Sequence, residues 1–249
     1  PIATQVPVTA SAVTISRDEH TISRKQISKN ALNVMYELTR AGYQAYLVGG
    51  GVRDLLLGLS PKDFDVATDA TPEQVKQHFR RARIVGRRFR IVHVRFGREI
   101  IEVTTFRGSH DQTDDSKINR NDKTQVNDPG MLLRDNVFGS LHDDAMRRDF
   151  TINAIYLNKK GKIFDPQQGI NDLNNNVVKF IGDPQTRIEE DFLRIIRFLR
   201  FSIQYNSSLE HSTVQALKLK LNGIKSLSQD RVLSELLKIL KLKNFFKII

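Results

Sequence analysis

The sequence predicts a mixed α/β domain of the α+β kind, followed by an all-helical region. Three observations carry this prediction. Short runs at 46–48, 64–66 and 84–105 alternate with the two-residue period of strands. Segments with the spacing of amphipathic helices lie between them. From Arg187 onward strand signals vanish, and three helical stretches follow near 188–203, 211–222 and 230–243. At 249 residues, 39% hydrophobic and 27% charged, the chain has core material for one large domain or two ordinary ones.

Taken in order, residues 1–20 are rich in Thr, Ser, Ala and Val, with two prolines and no helical period, so residues 1–27 read as a mobile arm. Ser28 caps a helix whose apolar positions are Leu32, Met35, Tyr36 and Leu38, with Gly42 just past its end. The strand at 46–48 stops at Gly49-Gly50-Gly51, helical character resumes over 52–57, and Gly58 ends it. Pro61 introduces the strand around Phe64-Asp65-Val66. Thr71 then caps a helix with Pro72 at its first position. Residues 84–105 read as two strands joined by a turn at Gly97. Residues 108–136 are dominated by Asp, Asn, Ser, Thr, Gln and Lys, with apolar residues scarce, and a loop of that length is either disordered or functional.

Charge narrows the partners. The net charge is +11, and the excess sits in two blocks of +8 each, 76–107 and 192–249, while 1–75 and 108–191 carry −1 and −4. A clustered excess of cations suits a polyanion, because each neutralised phosphate releases counterions. No cysteine occurs, which excludes disulfides, thiolate zinc sites and a cysteine nucleophile. No apolar run approaches the roughly 18–20 residues of a membrane span, and the N-terminus lacks a secretory layout. The expected setting is cytoplasmic, without membrane insertion.

Four constellations bear on chemistry. Asp63 and Asp65, two apart on a strand, project to one face, and hard oxygen ligands of this kind suit Mg²⁺; a solvated strand end is the plain alternative. Gly49-Gly50-Gly51 lets backbone N–H groups approach phosphate, with Arg53 adding charge and Asp54 able to hold Arg53; a tight strand–helix connection explains the glycines equally well. A dinucleotide fingerprint fails because Asp54 stands where its third glycine belongs, and no Walker-type loop exists. In the third, Arg147 to Ala154, Asp149 and Asn153 share a face if the segment starts a helix, beside the phosphate-suited Arg148. A simple helix cap needs only Asp149. In the fourth, Glu189 to Arg197, Asp191 and Glu190 pair with Arg194 at helical spacing, either as surface pairs or to read the edge of a base.

Together these segments resemble the class II nucleotidyltransferases, the bacterial poly(A) polymerases and CCA-adding enzymes. Residues 47–58 with Asp63-Phe64-Asp65 resemble the opening motif, RRDFTINA at 147–154 the second, and EEDFLRIIR at 189–197 the base-reading motif. Asp230 to Leu236 weakly resembles a later helix of the neck. The resemblance implies a palm domain with a mixed sheet over 28–182 and a helical neck over 183–249, shorter than in relatives. It implies that Asp63, Asp65 and Glu102 hold two Mg²⁺ ions, with Mn²⁺ a substitute in vitro. Asp63, Asp65 and Asp149 would be catalytic. Gly49, Gly50 and Arg53 would contact the triphosphate, Arg148 the phosphates and Asp149 the ribose, with Asn153 in support. Asp191 and Arg194 would contact the base, with Arg197 close by.

Residues 84–94, with Arg87 and Arg88, resemble the poly(A) polymerase signature, and these two arginines are expected to bind RNA. The expected reaction is template-independent addition of AMP from ATP to RNA 3′ ends, releasing pyrophosphate. A CCA-adding enzyme and a non-catalytic RNA-binding fragment stand as alternatives. The chain departs from the family at Pro166-Gln167-Gln168-Gly169, where relatives carry a Gly-Gly pair, and this affects a turn expected to support the site.

Overall fold

The structure, a computed structural model, describes residues 13–86, 90–108, 126–127, 131–132 and 138–242. The strands in chain order are β1 (Val13–Ile15), β2 (Ala45–Val48), β3 (Asp65–Thr68), β4 (Ala82–Val85), β5 (Ile91–Phe96), β6 (Glu99–Thr105), β7 (Val126–Asn127), β8 (Met131–Leu132), β9 (Tyr156–Asn158) and β10 (Ile163–Asp165). Eight form one sheet in the order β1-β10-β9-β2-β3-β6-β5-β4, and β7 pairs with β8 separately. Only β3 and β6 run parallel, so the sheet is mixed, as expected.

The chain divides into two compact units. The sheet unit spans 12–147 and 155–166, and the helical unit takes 148–154 and everything from Gln167. Although the second motif precedes the last two sheet strands in sequence, its Arg148–Ala154 segment thus packs with the helices.

In the sheet unit, α1 (Lys29–Arg40), α2 (Gly50–Leu56), α3 (Pro72–His78) and α4 (Leu141–Arg147) accompany the sheet. Ser28 Oγ accepts the N–H groups of Asn30 and Ala31, so the expected cap forms. Ala31, Val34, Met35 and Leu38, at the i, i+3, i+4, i+7 spacing, are the buried face of α1. Thr71 and Gln74 close a capping box on α3, with Pro72 at its first position. Register decides which face of the sheet is covered. Leu47, Val66, Val103 and Val92 are successive cross-strand neighbours and all are buried, with α1 and α3 packed against these strands. The adjacent row, Asp65, Glu102, His93 and Arg83, points to the other face and is half-buried to exposed.

Two expectations are corrected here. Residues 84–105 hold three strands rather than two, because four-residue β4 is too short for its alternation to stand apart from that of β5. The expected arm also belongs to the fold from Val13 onward. The β-branched Val13-Thr14-Ile15 pairs with β10, and Ile22 and Ile27 are buried. Residues 1–12 lie outside the described residues, as does most of the polar segment 108–136.

The helical unit contains α5 (Gly169–Asn174), α6 (Pro184–Glu190), α7 (Leu193–Tyr205), α8 (His211–Lys220) and α9 (Gln229–Leu240). Asp183 caps α6 by accepting the Thr186 N–H at 2.8 Å. Leu193, Ile196 and Ile239 form its apolar centre with Ile203, Ile224, Leu227 and Val232 packed around them. A second cluster joins Phe150, Phe180, Phe198 and Phe201, with centroids 4.8–6.1 Å apart.

The expected helix start at 147–154 is only a single 3-10 turn, Thr151–Asn153. Backbone pairing explains this: the Thr151 N–H donates to the Lys179 carbonyl and the Ile181 N–H to the Asp149 carbonyl, drawing Phe150 into extended conformation. Gly169 presses against that turn, since a Cβ there would lie 2.1 Å from the Thr151 carbonyl oxygen. Gln168 tolerates a left-handed φ of 55° beside it. The departure from a Gly-Gly pair therefore keeps the glycine that packing demands.

Candidate active site

In the sheet unit, β2 delivers the chain to Gly49, whose φ of 76° favours glycine, and α2 starts at once. Gly51 allows α2 to lie against the next strand's approach. A Cβ on Gly51 would come within 3.2 Å of both the Asp63 carbonyl oxygen and the Phe64 ring. The glycines therefore position Asp63 as well as shaping the turn. Arg53 is 6% exposed and donates from Nε and Nη2 to Asp54 Oδ1 at 3.1 and 2.9 Å. Its guanidinium lies beneath Gly50, where a Cβ would be 3.3 Å from Nη2. Both readings of Arg53 meet here: Asp54 holds it, and it places positive charge directly behind the glycine turn.

Asp63 is exposed and precedes the strand, whereas Asp65 is the first residue of β3 and is half-buried. Glu102 stands opposite Asp65 in the parallel β3–β6 pair, so these two carboxylates share the sheet face opposite α1 and α3. Glu102 Oε1 is 3.4 Å from His93 Nε2, a neighbour that sequence reasoning did not single out although β5 alternation placed it on this face. Among the described residues, no group of three His, Cys, Asp or Glu side chains is gathered to hold a metal ion. Mg²⁺ needs no such cage, because it takes one or two carboxylates and completes its shell with water and substrate phosphates. Exposed Asp63 with the adjacent Asp65–Glu102 pair fits that mode. Arg87 and Arg88 lie outside the described residues.

In the helical unit, Asp149 is held by four donors. Oδ1 accepts the Phe150 N–H at 2.8 Å and Asn153 Nδ2 at 3.1 Å; Oδ2 accepts Arg197 Nε at 2.8 Å and Nη2 at 2.5 Å. Four donors match the acceptor capacity of a carboxylate. Burial raises the Asp149 pKa, but the Arg197 charge, the Asn153 amide and the Phe150 N–H outweigh it and hold it below the usual aspartate value. Burial lowers the Arg197 pKa, and the charges of Asp149 and Glu235 more than reverse that. Arg197 was expected near the base; its observed work is to grip Asp149. Arg148 is half-buried, with its carbonyl accepting Arg187 Nη2 at 2.8 Å.

The grip extends to α9. Glu235, 3% exposed, accepts Arg200 Nε at 2.7 Å and Lys238 Nζ at 2.8 Å, with Arg197 Nη1 at 3.8 Å. Burial raises the Glu235 pKa, and bonds to Lys238 and Arg200 with their charges bring it below the usual glutamate value. One turn earlier on α9, Arg231 donates to Asp191 Oδ2 at 2.7 Å. The i, i+4 spacing of Arg231 and Glu235 was the available signal, and their partners were not readable from it.

The expected helical pairing of Asp191 with Arg194 does not form. Asp191 adopts extended backbone between α6 and α7, so it leaves the helical face that Arg194 occupies. Its Oδ1 instead accepts the Leu193 N–H at 3.1 Å. The Glu190–Arg194 pair does form, at 2.6 Å, and Arg194 Nη1 also donates to the Arg187 carbonyl at 2.5 Å. Arg194 is thus anchored through one nitrogen.

The profile of a family described as "Poly A polymerase head domain" matches residues 45–179. Poly(A) polymerase I of Salmonella typhimurium is 48% identical over 234 residues, 94% of this chain and 50% of that protein. The CCA-adding enzyme of Lactobacillus helveticus is 38% identical over 208 residues, 84% of this chain and 49% of that one. A solved structure, the Bacillus stearothermophilus CCA-adding enzyme in complex with CTP, is 33% identical with a TM-score of 0.71, covering 87% of this chain and 49% of that one. The chain spans about half the length of the curated relatives it matches.

Proposed function

Because the chain belongs to the poly(A) polymerase head-domain family, we propose that it transfers AMP from ATP to the 3′ end of RNA without a template. The observation that carries this reading is the Asp65–Glu102 pair on the sheet face opposite α1 and α3, with Asp63 set beside it by Gly51. In the reaction the RNA 3′-oxygen bonds to the α-phosphorus of ATP, the bond to the β-phosphate oxygen breaks, pyrophosphate leaves and the hydroxyl proton passes to water. Two Mg²⁺ ions bound by Asp63, Asp65 and Glu102 would supply neutralisation of charge on the attacking and leaving oxygens. Gly49, Gly50 and Arg53 orient the triphosphate, with Arg148 as a further phosphate contact. Chemistry of this kind rests on positioning and charge, and so needs no nucleophilic side chain.

Asp149 is assigned mainly a positioning role. Its four donors fix Asn153 and Arg197, and contact with a ribose hydroxyl requires exchange of one donor. Asp191 and Arg194 read the base, with Arg197 close by holding Asp149 and Arg231 holding Asp191 in place. Higher identity to poly(A) polymerases than to CCA-adding enzymes supports ATP as the nucleotide and poly(A) as the product.

The test is to incubate the chain with a short RNA, Mg²⁺ and each nucleoside triphosphate separately. Long tails from ATP alone are expected. Incorporation from CTP, with no long tail from ATP, would establish the CCA-adding reading, and RNA binding without incorporation would leave a binding fragment.

A further inference from the structure

The row carrying Asp65 does not end at Glu102. It continues through His93 on β5 to Arg83 on β4, the edge strand of the sheet. Directly opposed residues in a sheet share a face, so all four side chains stand on the side away from α1 and α3. Two residues along, Arg81 stands opposite Arg95, whose N–H reaches the Arg81 carbonyl at 3.4 Å, and this pair lies on the same face. Arg81, Arg83 and Arg95 are all exposed.

The acidic residues of this part of the unit have other partners. Glu73 pairs with Arg90, Glu99 accepts from Asn30, Glu102 faces His93, and Glu37 pairs with Arg40. Among the described residues, Arg81, Arg83 and Arg95 enter no ion pair. With neighbouring strands about 4.8 Å apart, Arg83 lies about 14 Å from Asp65 along the row. Three cations that enter no ion pair among the described residues, in line with the Asp65–Glu102 pair, supply a positive path for the backbone of a single strand.

We infer that Arg83, Arg95 and Arg81 form a phosphate track for the RNA strand being extended, running from the Asp65–Glu102 pair to the sheet edge. The inference rests on the reading of the chain as an RNA-extending enzyme. It assigns the path to residues other than Arg87 and Arg88.

The test compares the whole chain with a triple variant, Arg81→Gln, Arg83→Gln and Arg95→Gln. Binding of a fluorescent single-stranded RNA is followed against salt, and extension of a long primer is compared with that of a dinucleotide. Each phosphate contact on a single strand contributes about 0.7 to the slope of log affinity against log salt. The triple variant should therefore lose about 2 from that slope and at least tenfold in affinity at low salt. Its efficiency with the long primer should fall about tenfold relative to the dinucleotide, which is too short to reach the edge. Unchanged affinity and slope in a triple variant that melts like the unaltered chain would overturn the track alone. Loss of RNA extension without any RNA affinity in the unaltered chain would overturn the functional reading with it. Equal losses on long and dinucleotide primers would also overturn the track, since they place the effect at the reaction centre.

Discussion

In the sheet unit Asp63 is exposed and Asp65 and Glu102 stand side by side, half-buried, on one sheet face; in the helical unit Asp149 accepts four hydrogen bonds and Glu235 is enclosed by Arg197, Arg200 and Lys238. Carboxylates meant to take a cation must keep lone pairs open toward solvent, and adjacent like charges raise each other's pKa unless a cation arrives. Carboxylates meant to hold other side chains still must spend their lone pairs within the protein, where each bond fixes a rotamer. The same residue type thus does two kinds of work, set by what surrounds it. In the helical unit the carboxylates are spent on rigidity, and in the sheet unit the proposed function gives them a ligand to hold.

That contrast can be broken at each end. The largest effect is expected from Asp65→Asn, which should reduce AMP incorporation by at least about a thousandfold, since metal-assisted charge stabilisation contributes several kcal/mol. The melting temperature should change little by comparison, because Asn keeps the size of the side chain and one accepting oxygen. A large fall in melting temperature with little loss of rate would show that Asp65 is structural. Next comes Glu235→Gln, which leaves Arg197, Arg200 and Lys238 without their shared counter-charge. Loss of one partner from a buried network costs about 3 kcal/mol, read by denaturant unfolding. Activity should fall as well, through KM for ATP, because Arg197 no longer holds Asp149 in one place.

The pH dependence sharpens the same point. Asp149 and Glu235 have folded-state pKa values below the ordinary 3.8 and 4.5, so their stabilisation is complete above those values and is lost as pH falls through the lower, folded ones. Stability should therefore decline below about pH 4, and in Asp149→Asn this acid limb should be shallower while stability at neutral pH is already reduced. An identical acid limb in the variant would separate Asp149 from the acid transition. The smallest effect is expected from Arg231→Gln. The Arg231–Asp191 pair is 48% and 33% exposed, and screened pairs contribute below about 1 kcal/mol. Stability should barely change, whereas discrimination between ATP and CTP should weaken severalfold. A change in stability without any change in nucleotide choice would make Arg231 a surface partner only.

Local signals were legible where the chain pattern is itself local. Ser28 and Thr71 cap the helices they were expected to cap, and the β2 and β3 runs fall within a residue or two of their expected limits. Phe150 and Ala154 are buried as their apolar character implied. Failures came where a distant segment competes with local preference. Phe150 is drawn into extended backbone by Phe180, and Val13–Ile15 gains a strand only because β10 is there to pair with it. Asp191 leaves the helical face that spacing alone would give it, and its side chain finds Arg231 forty positions away.

By itself, the sequence determined the mixed α/β class with a helical sequel, the Gly-rich turn, the carboxylates on β3 and β6, and the two basic blocks. Each follows from residue type and short-range period, which act through a few neighbouring peptide units. Only the tertiary structure decided which cations stay without ion-pair partners and which carboxylates are saturated. Glu235 closes around Arg200 and Lys238, while Arg81, Arg83 and Arg95, in no ion pair among the described residues, line up exposed on one sheet face because β4, β5 and β6 pair in one register. Register and packing join residues far apart in sequence, and it is that joining which separates a charge used to hold the fold from a charge left to hold a ligand.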